Sequence, residues 1–136
     1  MIAIDTSAHM AILQQEVHGV ACEQAIGRAG RRLISAATIA ECLIVASRRR
    51  LTGPMQSLFS IVVTETIDLT QARSERAAAT YKRFGKGIRP ASLNFGDCFA
   101  YATATEFDCP LLYVGDDFAR TDLRSTLSTS SPHESL

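Results

Sequence analysis

The sequence predicts an α/β fold in which a short parallel sheet is covered by helices on both faces, a three-layer α/β/α arrangement. Short apolar runs alternate along the chain with longer segments of helical periodicity. The clearest runs are apolar throughout, which is typical of parallel strands buried on both faces. The chain has 136 residues, of which 46% are hydrophobic and 21% charged. These values fit one globular domain.

The predicted strands are apolar or β-branched stretches between helical segments. They are residues 1–4, 32–35, 61–69 and 111–114. The first ends at Asp5, and the last leads into the turn Gly115-Asp116-Asp117. In an open parallel sheet, ligands bind beyond the carboxyl ends of the strands, so the residues that follow these runs are the candidates for a functional site.

The predicted helices show apolar spacing of three and four residues. They are residues 7–15, 17–29, 36–50, 55–60, 70–84 and 94–107. The third is the strongest prediction, because Ile39, Cys42, Leu43 and Ala46 lie on one helical face. The dipeptide Gly53-Pro54 is expected to break the chain before the fourth helix.

Helix-capping residues support the later elements. Thr70 is a suitable N-cap for the fifth helix, and Gly85-Lys86-Gly87 is expected to end it. The domain is predicted to cover residues 1–124. Residues 125–136 form a Ser/Thr-rich tail that is predicted to be disordered.

Several classes of protein are excluded by composition. No apolar run approaches the roughly 18 residues of a membrane helix, so no membrane partner is expected. The first residues have no basic segment of the kind that opens a signal peptide. The four cysteines contain no CxxC spacing. We therefore expect a cytoplasmic protein with reduced, buried thiols.

Charge leaves the nucleic-acid question open. The 14 basic and 14 acidic residues cancel, which excludes a global field that attracts nucleic acid. One basic cluster either guides a nucleic-acid backbone or only keeps the surface solvated: Lys82, Arg83, Lys86 and Arg89. Four aromatic residues are predicted to belong to the core rather than to stack on bases: Tyr81, Phe95, Phe99 and Tyr101.

Acidic residues are the main functional candidates. Asp5 follows the first strand, and Asp116 and Asp117 follow the last. Glu41 and Asp97 lie in the first turns of predicted helices. The fold would gather them at one edge of the sheet, where they would repel each other unless a cation were present. Mg²⁺ or Mn²⁺ prefers such oxygen ligands, and a carboxylate-held metal ion is suited to phosphodiester chemistry.

Each acid also has a local structural explanation. Asp5 is placed to cap the helix that follows it. The capping-box spacing occurs at residues 38–41 and again at residues 94–97. Asp116 and Asp117 are common turn residues. From the residues alone, both explanations remain open.

Four segments resemble a known family. The opening Asp5-Thr6-Ser7-Ala8 resembles the first motif of PIN domains, and residues 35–41 are similar to the segment of the family's second acid. Residues 83–102 are similar to the third-acid segment of VapC toxins, and residues 110–122 resemble their C-terminal motif. The resemblance extends from residue 1 to about residue 124. Its most specific parts are residues 94–102 and 115–122.

The resemblance implies a PIN-domain ribonuclease that acts as the toxin of a VapBC toxin–antitoxin pair. Asp5, Glu41 and Asp97 match the three acids that hold Mg²⁺ or Mn²⁺ in the family, and water activated by the metal would cleave RNA. Asp117 is the preferred match to the fourth acid, with Asp116 as second choice. The implied partners are a VapB-type antitoxin, an RNA substrate and a second copy of the chain in a homodimer.

Two alternatives remain at this point. A catalytically inactive PIN-like module would bind RNA or protein and would use its acids only as helix caps. A receiver-like signalling domain is disfavoured, because the paired acids come late in the chain and no Lys follows the last strand.

Overall fold

The fold was obtained as a computed structural model, and the structure describes residues 1–127. The strands are β1 (Ile2–Ile4), β2 (Arg32–Ser35), β3 (Glu65–Ile67) and β4 (Leu111–Leu112). The helices are α1 (Thr6–Leu13), α2 (Gly19–Arg28), α3 (Ala36–Arg48), α4 (Thr52–Val62), α5 (Gln71–Phe84) and α6 (Phe95–Glu106).

The four strands form one parallel sheet in the order β3-β2-β1-β4. In the centre of the sheet, Ala3 is in register with Leu33 on one side and with Leu111 on the other. Because all strands run the same way, their carboxyl ends meet at one edge. Asp5 follows directly after β1 at that edge.

Helices cover both faces of the sheet, as expected from β1 and β4, which are apolar throughout. Ala3, Leu33 and Leu111 pack against residues of α5 and α6 such as Ala77 and Tyr101. The alternate strand residues face the other way: Ile2, Ile4 and Leu112 pack against α1 and α2, and Ile34 packs against α3 and α4. This two-residue alternation is that of a pleated strand, and the predicted three-layer α/β/α fold is confirmed.

The fourth helix is longer than predicted, and the third strand is shorter. Gly53-Pro54 does not break the chain but lies in the first turn of α4. Proline is tolerated there because the first N–H groups of a helix have no partner within it. Ile61 and Val62, predicted to be in a strand, end this helix instead, and Val62 is buried against α1 and α2.

The edge strand β4 forms backbone hydrogen bonds with residues on both sides of the predicted domain boundary at residue 124. The N–H of Leu111 donates to Arg124 O at 2.9 Å, and the N–H of Thr126 donates to Leu111 O at 3.2 Å. Residues 125–127 of the predicted tail therefore run alongside β4, whereas residues 128–136 lie outside the described residues. No helix within residues 1–127 is long and apolar enough to span a membrane.

Candidate active site

Asp5 is the most buried of the candidate acids. It lies between the end of β1 and the start of α1, and it is 3% exposed. Its Oδ2 accepts hydrogen bonds from the N–H of Ser7 at 3.1 Å and from the Ser7 hydroxyl at 2.6 Å. Its Oδ1 is buried without a hydrogen-bond partner. The predicted capping role is therefore real, but it uses only one of the two carboxylate oxygens.

His9 forms a hydrogen bond with the backbone of Asp5. Its Nδ1 lies 3.1 Å from the backbone oxygen of Asp5, and because that oxygen can only accept, the ring nitrogen donates. Its ring packs edge-on against Phe59 with centroids 5.3 Å apart. Burial lowers the pKa of His9 to about 4, so the ring is neutral at pH 7. His9 thus fixes the backbone of Asp5 without adding charge to the site.

Glu41 lies on α3 and faces the start of α1. Its Oε1 accepts a hydrogen bond of 2.6 Å from the Thr6 hydroxyl. The capping box predicted for residues 38–41 does not form, because α3 begins two residues before Thr38 and its N-cap is Ser35, whose side chain accepts from the N–H of Ala37. Glu41 is therefore not needed as a cap.

Gly96 provides the space that the Glu41 carboxylate occupies. A Cβ at position 96 would collide with Oε2 of Glu41. Any other residue at position 96 would force this carboxylate to move. The Glu41 carboxylate thus lies beside the residue that precedes Asp97.

Asp97 lies in the first turn of α6 and is 6% exposed. The predicted capping box with Asn94 is present. The N–H of Asp97 donates to Asn94 Oδ1 at 2.9 Å, and the N–H of Asn94 donates to Asp97 Oδ2 at 3.1 Å. As with Asp5, local capping and membership in the acidic group are compatible.

The two acids after β4 differ in their surroundings. Both are exposed and follow Gly115, whose φ of +100° makes the turn. The charge of Asp117 is one of those that raise the pKa of Asp97. Asp116 instead lines a separate cavity of about 330 Å³ beside His18 and Tyr113.

Mutual repulsion and burial disturb the titration of two of the acids. Burial is the main cause that raises the pKa of Asp5 to about 6, and the charge of Glu41 adds to it. Burial also raises the pKa of Asp97 to about 7, with further contributions from Asp5, Asp117 and Glu41. These four carboxylates therefore share one electrostatic environment at the sheet edge.

The donor chemistry fits a hard divalent cation. All four side chains offer carboxylate oxygens, and the buried Oδ1 of Asp5 lacks a partner. Within residues 1–127, no three acidic, histidine or cysteine side chains stand close enough together to form a closed metal-binding group. The fit consequently rests on the type of donor and on the unpartnered oxygen.

Two hydroxyl groups and one glycine of the site were not singled out from the sequence. Thr6 contacts Glu41. Ser7 contacts Asp5 and also accepts a hydrogen bond of 3.0 Å from the N–H of Val114, two residues after β4. Both lie in the opening motif, which was noted only for its acid. Gly96 lies within the third-acid segment, but its role could not be inferred from the sequence because it depends on where Glu41 lies.

The aromatic predictions were partly wrong. Tyr101 is buried, and Phe99 packs against the core. Phe95, by contrast, is 74% exposed, and Tyr81 is also exposed. Phe95 is the first residue of α6, and its ring packs edge-on against Phe99 with centroids 5.0 Å apart. At this helix terminus the core no longer covers every side of the helix, so Phe95 stays exposed.

The basic cluster is on the surface. Its four members are exposed: Lys82, Arg83, Lys86 and Arg89. Arg83 lies over the ring of Phe84, 4.5 Å from its centroid, and forms an ion pair of 3.5 Å with Asp122. Arg83 is thus engaged by side chains of its own domain.

Comparison with known proteins agrees with the fold and the motifs. The PIN domain family matches residues 2–123. The chain is 43% identical over 126 residues to ribonuclease VapC36 of Mycobacterium tuberculosis, covering 88% of this chain and 89% of that protein.

Two solved structures share the fold at low sequence identity. The sarcin-ricin loop cleaving toxin VapC20 of Mycobacterium tuberculosis superposes with a TM-score of 0.74 at 16% identity, covering 90% of this chain and 96% of that one. VapBC2 from Rickettsia felis, solved with a DNA fragment from its promoter, gives a TM-score of 0.65 at 15% identity. It covers 92% of this chain and 96% of that one.

Proposed function

We propose a function for this chain from the family to which it belongs, the VapC ribonucleases of the PIN domain family. It is a metal-dependent ribonuclease and the toxin of a VapBC pair. The observation that carries the proposal is the shared electrostatic environment of Asp5, Glu41, Asp97 and Asp117 at the carboxyl edge of the sheet. Acids present only as helix caps or turn residues would not need to interact electrostatically, as Asp97 does with the other three.

Mg²⁺ or Mn²⁺ is the cofactor that this donor set supports best. Such an ion would supply a polarised phosphoryl oxygen and an activated water for attack in line on an RNA phosphodiester. Asp5 and Asp97 would hold it: burial, with the charge of neighbouring acids added, raises the pKa of both, and a bound cation would favour their ionised forms. Glu41 would hold the ion or orient the attacking water. Asp117 would stabilise the departing oxygen through a second ion.

The direct test is cleavage of RNA by the purified chain in Mg²⁺ or Mn²⁺, with and without chelator. We expect metal-dependent cleavage that is lost on chelation and absent from the Asp97→Asn variant. If wild type and variant both bind RNA or an antitoxin but neither cuts any RNA in either metal, the inactive binding module is the better account.

A VapB-type antitoxin is the expected protein partner. An open, largely apolar groove of about 520 Å³ runs between α3 and α6, with Ile44, Val45 and Phe95 among its lining residues and Glu41 beside them. An amphipathic segment would fit its apolar part. An Arg on that segment would pair with the carboxylates and displace the cation.

The partner proposal is tested in cells and in solution. We expect the chain expressed alone to arrest growth and co-expression of the adjacent upstream gene to restore it, and we expect the purified chain to be a homodimer by light scattering. Asp97→Asn is the matched control for expression level. Growth that is equal for wild type and Asp97→Asn at equal expression would contradict the toxin function.

A further inference from the structure

Two linked side-chain hydrogen bonds, one buried and one partly buried, lead to the Glu41 carboxylate. The Cys42 thiol donates to Oγ1 of Thr6 at 3.5 Å, and the Thr6 hydroxyl donates to Oε1 of Glu41 at 2.6 Å. Cys42 is completely buried, and Thr6 is nearly so. None of these contacts is between neighbouring turns of one helix, because Thr6 belongs to α1 while Glu41 and Cys42 belong to α3.

The donor and acceptor of each hydrogen bond in this series follow from the protons that each group carries. A hydroxyl carries one proton and two lone pairs, and an ionised carboxylate can only accept. Cys42 is a completely buried free cysteine, so this group is a thiol with a proton to donate. With the Cys42 proton directed at Oγ1, the single proton of Thr6 is left for Glu41.

The second oxygen of Glu41 is confined from the opposite side. Oε2 occupies the space that a Cβ on residue 96 would need. The carboxylate is thus bounded by a hydrogen-bond donor at Oε1 and by the backbone of α6 at Oε2. Glutamate has three rotatable side-chain bonds, and without such contacts a half-buried carboxylate would sample several rotamers.

We propose that Thr6 is the positioning residue for Glu41, held in its donor orientation by the Cys42 thiol and opposed by the backbone at Gly96. Thr6 does not touch substrate in this proposal and acts only through Glu41. The inference rests on the proposed function, since the position of Glu41 matters for the rate only if Glu41 takes part in RNA cleavage.

The matched variants are Thr6→Val and Thr6→Ser. Valine keeps the shape of threonine and removes the hydroxyl, whereas serine keeps the hydroxyl and removes a methyl group. We expect Thr6→Val to lower kcat for RNA cleavage by about tenfold or more at an unchanged KM, because a hydrogen bond to a charged group is lost. We expect Thr6→Ser to stay within a few-fold of wild type.

A double-variant cycle separates positioning from a general structural role. If Thr6 acts through Glu41, the pair Thr6→Val with Glu41→Gln will cut RNA no more slowly than Glu41→Gln alone. If the double variant lowers the cleavage rate by the product of the two single-variant factors, the proposal is overturned. It is also overturned if the kcat of Thr6→Val is within about twofold of wild type.

A second measurement does not depend on activity. In protein labelled with ¹³C at glutamate side-chain carboxyls, the Glu41 resonance is assigned by its loss in Glu41→Gln. We expect this resonance to shift in Thr6→Val and to stay in place in Thr6→Ser. A resonance that is the same in wild type and Thr6→Val overturns the positioning proposal. Inactive wild-type protein with a shifted resonance overturns the proposed function and leaves the positioning contact standing.

Discussion

At the scale of single residues, Asp97 combines two roles that were alternatives in the sequence. Its Oδ2 closes the capping box of α6, and its charge lies within reach of Asp5, Glu41 and Asp117. Asparagine keeps the cap acceptor and removes the charge. We therefore expect Asp97→Asn to abolish RNA cleavage while the capping change alone costs about 1 kcal/mol or less in the free energy of unfolding. Full activity of a correctly folded Asp97→Asn protein would contradict a role in metal binding.

The raised pKa values of Asp5 and Asp97 give a pH dependence with a defined sign. The folded protein holds these protons up to about pH 6 and pH 7, whereas the unfolded carboxyls release them near 3.8. The stabilisation by these protons is fully present below pH 3.8 and is lost as pH rises from about 4 to about 7. His9 opposes this trend in part, because its lowered pKa of about 4 favours the folded state as pH rises.

Asp97→Asn isolates the contribution of the acid, because His9 is the same in both proteins. In chelator at pH 8, we expect the variant to be more stable than wild type by roughly 2–4 kcal/mol, and we expect the difference to disappear near pH 4. Urea unfolding across this pH range measures it. A difference that is independent of pH would contradict the raised pKa of Asp97.

At the scale of elements, the start of α3 decides where Glu41 lies. Ser35 caps this helix, with its Oγ accepting from the N–H of Ala37 at 3.2 Å, whereas Oγ1 of the buried Thr38 has no partner. Ser35→Ala is expected to cost about 1 kcal/mol in the free energy of unfolding. Thr38→Val is expected to cost nothing or to stabilise the protein, because it removes an unsatisfied buried hydroxyl. Chemical denaturation of both variants tests this, and the reverse order of stability would favour a helix that begins at Thr38.

At the scale of the whole molecule, the fold brings acidic side chains that repel each other to the carboxyl edge of the sheet. Asp5 arrives at this edge after β1, Glu41 on α3, Asp97 on α6 and Asp117 after β4. A divalent cation would relieve the repulsion in the folded state only. At about 100 times its dissociation constant, such an ion would add roughly 2.7 kcal/mol to stability.

Thermal melts in Mg²⁺ or Mn²⁺, compared with melts in chelator, measure how much metal binding stabilises the folded protein. We expect metal to raise the Tm of wild type and to have little effect on Asp5→Asn, which loses the unpartnered buried oxygen as an anionic donor. Equal melting temperatures with and without millimolar metal, in wild type and variant alike, would argue against a shared cation site.

Local patterns in the sequence were enough for the fold class, the bounds of β2 and the caps at Thr70 and Asn94. They were also enough to nominate the acids at the sheet edge. These features depend on side-chain periodicity and on hydrogen bonds within a few residues, which a sequence carries directly.

Only the tertiary structure decided which residues near the acids matter. The boundary between α4 and β3 depends on Val62 being buried against α1 and α2. The contacts of Thr6 with Glu41, of Ser7 with Val114 and of Gly96 with Glu41 each join different elements. Such contacts are set by how helices pack across a sheet. A sequence pattern describes residues that are near each other along the chain, so it does not predict contacts between atoms that come together only after folding.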